Sequence, residues 1–300
     1  MPDSPSTPVI TNHAAPDPPE QGAVGFRGLW RALEELDLGQ EHPVLVHSSL
    51  SAFGRVQGGA DTVVGALLKY FHTVVMPAFT YRTLVVPESG PLDNAIDYGR
   101  HTPRNKMAEF FHPEMPIDSL IGSIAETLRK HPAAYRSGHP VLSFVGVNAR
   151  EALERQTLSA PFAPIASLTD QGGYVLLIGV DHSSNTAIHL GERLAGRRTF
   201  TRWALMPEMV VECTNFPYCS DGFNAIQPLI EPFTRTVTVG KALIQAMPLY
   251  ELVETTRQLV SSDPLALLCE KTNCPSCNQI RRDVQSRKSR PAGEEIPPGD

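Results

Sequence analysis

Apolar residues along this chain follow two rhythms. Over Gly28–Leu36 they recur at helical spacing, and the spacing returns over Asp61–Phe71, where Val64, Leu67, Leu68 and Phe71 share a face. Short apolar runs at Pro43–His47, Thr73–Pro77, Val141–Val147, Tyr174–Val180 and Met209–Cys213 read as strands. Leu120, Ile124 and Leu128 predict one face of a helix that stops before Pro132. A helix is predicted in the Gly240–Ala246 region, and a longer one from about Leu249 to Val260 closes the folded part. Strands alternating with helices predict an α/β fold: a central mixed sheet flanked by helices, with an inserted accessory region.

The pattern fades at both ends and once in the middle. Residues 1–24 and 285–300 are rich in Pro and charge without apolar period, so disordered tails are expected around a domain spanning 25–284. The basic cluster Arg281, Arg282, Arg287, Lys288 and Arg290 is expected to be solvated. The long polar connection from Arg82 to Asp118 is expected to be an accessory insert, because structureless connections of that length are usually functional or disordered. No internal repeat is visible.

Composition narrows the function classes. With 300 residues, 41% of them hydrophobic, the chain has material for a substantial core. A net charge of -6 argues against a general nucleic-acid binder and suits cationic partners. No apolar run approaches the ~20 residues of a membrane span, and the N-terminus lacks a basic start followed by an apolar core. A cytoplasmic protein with no membrane partner is expected.

The strongest chemical signal is Asn185-Thr-Ala-Ile-His189-Leu-Gly-Glu192, which follows the strand ending near Val180. If the segment is helical, His189 and Glu192 lie three apart on one face and touch. An imidazole steered by a carboxylate is the equipment of general-base catalysis near neutral pH. Alone, the octapeptide reads more readily as a capped helix with a half-buried histidine and a solvated glutamate. Upstream, His47-Ser48-Ser49-Leu50-Ser51 leaves a strand and Gly58-Gly59 opens a helix. A hydroxyl-rich loop beside a helix N-terminus suits an anion, although neither GxGxxG nor a Walker motif is present. Arg136-Ser137-Gly138-His139-Pro140 with Ser143 reads as a tight turn or as a second contact surface for an anionic ligand.

Taken in order, His47-Ser48-Ser49-Leu50-Ser51, Gly54, Gly58-Gly59-Ala60, Met76-Pro77-Ala78-Phe79-Thr80, Thr102-Pro103, Gly122, Glu126, Arg136-Ser137-Gly138-His139-Pro140, Ser143, Pro161-Phe162, Gly179, Asn185-Thr186 and His189-Leu190-Gly191-Glu192 resemble the aminoglycoside 3-N-acetyltransferase family across roughly residues 26–260. This family is distinct in fold from the GNAT acetyltransferases. The resemblance implies that acetyl-CoA is held by His47, Ser48, Ser49, Leu50, Ser51 and Gly59, with Ser137, His139 and Ser143 as the second contact. It also implies that His189 is the base, that Glu192 orients it or helps to hold the cationic substrate, and that the acetyl group passes directly to an amine. The implied acceptor is the 3-amino group of a 2-deoxystreptamine aminoglycoside, a resistance activity.

The expected contacts for the acceptor's ammonium groups are Asp93, Asp97 and Glu126. The insert also offers Glu88, Glu109, Glu114 and Asp118, but its Arg82, Arg100, Arg104 and Lys106 oppose a polycation. Arg104–Asp118 departs from the family pattern, which leaves another amine of secondary metabolism as an alternative acceptor. No metal is assigned to the catalytic site. Of five cysteines, Cys269, Cys274 and Cys277 have the spacing for a structural zinc site completed by Cys213 or Cys219, against a reading as reduced thiols. A hydrolase using Ser48 or Ser49 with His189 lacks the expected G-x-S-x-G, and a non-catalytic acetyl-CoA-binding protein would not need the His189–Glu192 pair.

Overall fold

Strand β1 (Val44–Ser48) puts Val44 and Val46 into one apolar layer and Leu45 into another, because successive strand residues face opposite sides. All three are buried, so both faces of the sheet are covered. This is why the strands read as apolar runs with no polar alternation. The computed structural model describes residues 22–99 and 103–288, with the side chains of 103, 104 and 288 left out.

Beyond β1 the strands are β2 (Val74–Pro77), β3 (Leu84–Val85), β4 (Ala134–Arg136), β5 (Phe144–Val147), β6 (Tyr174–Ile178), β7 (Phe200–Leu205), β8 (Val210–Phe216), β9 (Arg235–Val239) and β10 (Ala242–Pro248). Seven of them form one sheet in the order β4-β5-β2-β1-β6-β10-β9, and β3-β7-β8 form a second, smaller one. The three central strands β2, β1 and β6 are parallel, while antiparallel pairs extend both edges. Helices Phe26–Glu35, Gly59–Tyr70 and Ser123–Arg129 cover one face. Helices Ala163–Asp170, Ala187–Leu194 and Leu249–Ser262, with the small sheet, pack on the other. The mixed α/β architecture is the expected one.

Several local expectations are corrected. Gly240–Ala246 is not a helix: Ala242–Pro248 is β10, paired on one side with β6 and on the other with β9 across a Gly240–Lys241 turn. The alternating Thr236-Val-Thr-Val239 was the strand signal for that hairpin, and sheet pairing overrides the helix-forming residues Ala, Leu and Gln. The strand expected from Val141 begins only at Phe144, and the helix after Leu120 begins at Ser123, leaving Leu120 84% exposed.

The insert from 82 to 118 is tied down within its described residues. β3 pairs with β7, and Asn94 bonds the backbone of Thr201 in both directions. Val24 belongs to the core rather than to a tail, buried and bridged to Val56. The last described helix spans Pro275–Lys288, so Arg281 and Arg282 sit on a helix and bond neighbouring groups. Residues 1–21 and 289–300, Arg290 among them, lie outside the described residues, as do Arg100 and Thr102.

Candidate functional site

The carboxyl ends of the three parallel strands open into one cavity of about 1130 Å³, as open α/β sheets generally arrange their ligand sites. β1 delivers His47, Ser48, Ser49, Leu50 and Ser51 to its wall, β2 delivers Pro77 and Phe79, and the turn after β6 delivers Ser183 to Thr186 and then His189. Gly179 makes the junction between two of these loops. A Cβ there would sit 2.2 Å from the Cβ of Ala52, so only glycine lets the exit of β6 cross the Leu50–Phe53 turn.

Asn185 caps the Ala187–Leu194 helix by accepting from the N–H of Ala187 at 3.2 Å. Within this helix His189 donates from Nδ1 to Glu192 Oε2 at 3.0 Å. No described residue hydrogen-bonds Nε2, and His189 borders the cavity. The ring stacks on Phe162 and meets Phe223 and Tyr218 edge-on, so its plane is held by packing as well as by the hydrogen bond. Glu192 is buried and its other oxygen accepts from Arg197 Nη1 at 2.7 Å and from the Tyr218 hydroxyl. Burial and the neighbouring Glu192 charge raise the Tyr218 pKa, keeping the phenol protonated as a donor. Arg197 is anchored in turn on the carbonyls of Pro264 and Ala266. Gly191 explains the motif's remaining residue: a Cβ there would lie 2.5 Å from Thr256 Cβ, so glycine brings this helix against Leu249–Ser262.

His47 is buried at the end of β1, with Nε2 3.2 Å from Thr186 Oγ1, and burial lowers its pKa to about 3. It is therefore a neutral group of the wall. Ser49 and Ser51 share a hydrogen bond at 3.0 Å, and Gly59, at the start of the Gly59–Tyr70 helix, borders the same space. Arg55 also borders the cavity, a cation that no motif flagged.

Ser137, His139 and Ser143 do not line the cavity. Ser143 Oγ accepts from Arg136 and donates to the carbonyl of Ala78, while Ser137 accepts from the N–H of Phe144. His139 Nδ1 accepts from the N–H groups of Val141 and Leu142, and burial lowers its pKa to about 4. Arg136 also donates to Met115 and Ala78 carbonyls, pinning the end of the insert to the sheet. Ser137 and Ser143 thus spend their hydrogen bonds on a tight turn, whereas the buried Nε2 of His139 has no partner among the described residues.

Asp93, Asp97 and Glu126 are absent from the cavity wall as well. Asp93 pairs with Arg198. Glu126 pairs with Arg129 at 2.7 Å and accepts from the N–H of Ile117, so its carboxyl is held at about 2. Among the described residues bordering the cavity none is acidic; the charged ones are Arg55 and Arg202. Burial lowers the Arg202 pKa to about 10, and its guanidinium donates to the carbonyls of Thr201 and Asn94, so the insert positions it. Arg55, Arg202, Arg197 and Tyr218 were not legible from motifs. Arg197 follows the HLGE helix closely enough to have been a candidate, but Tyr218 reaches Glu192 only through the fold.

The four sulfurs of Cys219, Cys269, Cys274 and Cys277 lie within 4.8 Å of one another, while Cys213 is buried elsewhere in β8. The fourth member of the cluster is thus Cys219. Among the described residues no helix is long and apolar enough to cross a membrane.

The chain is 32% identical over 176 residues to the SPbeta prophage-derived aminoglycoside N(3')-acetyltransferase-like protein YokD of Bacillus subtilis, covering 53% of this chain and 61% of that protein. It is 33% identical over 186 residues to aminoglycoside N(3)-acetyltransferase VII of Streptomyces paromomycinus, covering 58% and 62%. The chain thus spans about three-fifths of these curated relatives. Its fold matches the aminoglycoside acetyltransferase AAC(3)-IVa apoenzyme with a TM-score of 0.72 at 23% identity, over 88% of this chain and 99% of that one. It also matches AAC-IIIb, solved as a binary complex with CoASH, with a TM-score of 0.66 at 23% identity, over 79% and 96%. Residues 45–261, which hold the cavity loops and the His189 helix, match the family model of aminoglycoside 3-N-acetyltransferase, and the chain belongs to that family.

Proposed function

We propose that this protein transfers the acetyl group of acetyl-CoA directly to an amine, with His189 as general base. The observation that carries the reading is the buried chain Arg197–Glu192–His189, which holds the Nδ1 proton toward the protein and leaves Nε2 without a partner among the described residues, on a side chain that borders the cavity. The neutral amine attacks the thioester carbonyl carbon while Nε2 takes its proton. The tetrahedral oxyanion then collapses, breaking the C–S bond, and the imidazolium returns the proton to the leaving thiolate. Among the described residues no serine or cysteine bonds His189, so no nucleophile–base pair is assembled there for an acyl-enzyme. Hydroxyls of Ser48, Ser49 and Ser51, the backbone at Gly59 and the Arg55 guanidinium supply donors for the anionic half of the coenzyme.

Family membership favours the 3-amine of a 2-deoxystreptamine aminoglycoside as acceptor. The cavity wall favours a second reading, a small amine of lower positive charge, because no acidic side chain among the described residues borders the cavity while Arg202 does. The test measures coenzyme A release from acetyl-CoA with a panel of aminoglycosides and simple amines. Turnover of an aminoglycoside supports the first acceptor, and turnover of simple amines alone supports the second. His189→Ala should lose at least roughly a hundredfold in turnover with coenzyme binding retained. Release without any amine would instead identify a hydrolase, and binding without turnover on any amine would sink the enzyme reading.

A further inference from the structure

The cysteine cluster gathers residues from three separate stretches. Cys219 follows β8, Cys269 lies in the loop after the Leu249–Ser262 helix, and Cys274 and Cys277 bracket the start of the Pro275–Lys288 helix. Cys269 and Cys277 are buried, and Cys219 and Cys274 are half-buried. Their sulfurs all fall within 4.8 Å of one another. A tetrahedron of thiolates around zinc at ~2.3 Å has sulfur–sulfur edges of about 3.8 Å, so shifts of an ångström or less close the cage.

Polar groups border the cluster. The N–H of Asp221 points at Cys219 Sγ at 3.5 Å, that thiol donates to the Asp221 carboxylate at 3.2 Å, and the Cys274-x-x-Cys277 pair sits at a positive helix end. Lys271 lies beside Asp221 at 2.6 Å, and Arg281 donates to the carbonyl of Cys269.

We propose that Cys219, Cys269, Cys274 and Cys277 bind one Zn²⁺ as a structural clip that fixes the wall of the reaction cavity. Four thiols release four protons to solvent and four S–Zn bonds form, leaving a site of net charge −2 beside Lys271 and Arg281. An all-sulfur, tetrahedral donor set selects zinc over harder cations. The clip has a consequence at the active site because Cys219 adjoins Tyr218, the residue that donates to Glu192. Pro217, Tyr218, Cys219 and Ser220 border the cavity, as does Ser276 from the cysteine-bearing helix. Zinc would therefore join the chain's last helix to the segment that holds the carboxylate of the catalytic pair.

The test uses the full chain purified without chelator. Elemental analysis should find one zinc per chain, retained in Cys213→Ala and lost in Cys274→Ser and Cys277→Ser. If those serine variants fail to fold, cobalt exchanged into the wild-type protein should give intense thiolate-to-metal absorption with the visible bands of a tetrahedral site. Removal of zinc should speed hydrogen exchange over residues 214–222. A folded, metal-free protein whose four thiols react freely and which takes up neither zinc nor cobalt would overturn the site. A mass lower by two or four hydrogens, showing disulfides, would do the same. Bound zinc with unchanged exchange over 214–222 on its removal would overturn the clip. None of these readouts depends on acetyl transfer.

Discussion

Replacing Glu192 by Gln tests the catalytic reading at its most sensitive point. The carboxylate accepts three donors: His189 Nδ1 on one oxygen, and Arg197 Nη1 and the Tyr218 hydroxyl on the other. Glutamine has one acceptor oxygen, and two fixed donors on one side will hold it there. Its amide N–H₂ then faces His189 Nδ1, which must accept, and the ring proton moves to Nε2. The base would then point its lone pair into the protein and its proton at the substrate. Loss of the right tautomer in a comparable histidine–carboxylate pair costs about 10⁴ in turnover, so a fall of about 10²-fold or more, no larger than that of His189→Ala, is expected here. The acetyl-CoA KM should hardly change, because Glu192 is absent from the cavity wall.

Stability should suffer as well. Arg197 and Glu192 are each 2% exposed at the side chain, and removing one charge strands the other. Breaking such a pair costs about 3–5 kcal/mol; the retained hydrogen bonds place this variant near about 3 kcal/mol. At roughly 2–4 °C per kcal/mol for a domain of this size, the melting midpoint should fall by about 6–12 °C. The measurements are steady-state coenzyme A release and thermal unfolding by circular dichroism. A folded Glu192→Gln enzyme within about tenfold of wild-type turnover would refute the orientation argument, and with it the assignment of His189 as an oriented base.

Other outcomes follow from the same structure. Ser49→Ala and Gly59→Asp should weaken acetyl-CoA binding, the latter by placing a negative charge at the helix N-terminus; unchanged affinities by calorimetry would remove this loop from the coenzyme site. Gly191→Ala should destabilise by about 1–3 kcal/mol because its methyl meets Thr256 Cβ at 2.5 Å, and an unchanged melting midpoint would contradict that contact. His47 and His139 are held neutral, at about 3 and about 4, and burial lowers His182 too. Below their ordinary value of 6.5 the unfolded chain binds protons that the folded chain refuses. Stability is therefore fully present above pH 6.5 and is lost as pH falls from there toward those values, at about 1.4 kcal/mol per pH unit for each such histidine. Denaturant unfolding between pH 6.5 and 5 should show this slope and His47→Gln should flatten it; a slope unaffected by the substitution would deny the buried neutral state.

What local spacing encodes was legible in the chain. The parallel core strands read as apolar runs because helices cover both faces, and His189 with Glu192 stood out because i,i+3 contacts are a property of the helix itself. Cys274 and Cys277 were readable for the same reason. β10 was misread, since Ala-Leu-Ile-Gln-Ala suits either element and only pairing with β6 and β9 decides between them. Tertiary structure alone brought Tyr218 and Arg197 to Glu192 and Cys219 to the other three thiols, because no sequence period relates residues joined only by the packing of distant segments. It also turned Asp93 and Glu126 away from the cavity. A carboxylate's chemistry is fixed by its nearest cation, and for these two the fold supplies Arg198 and Arg129.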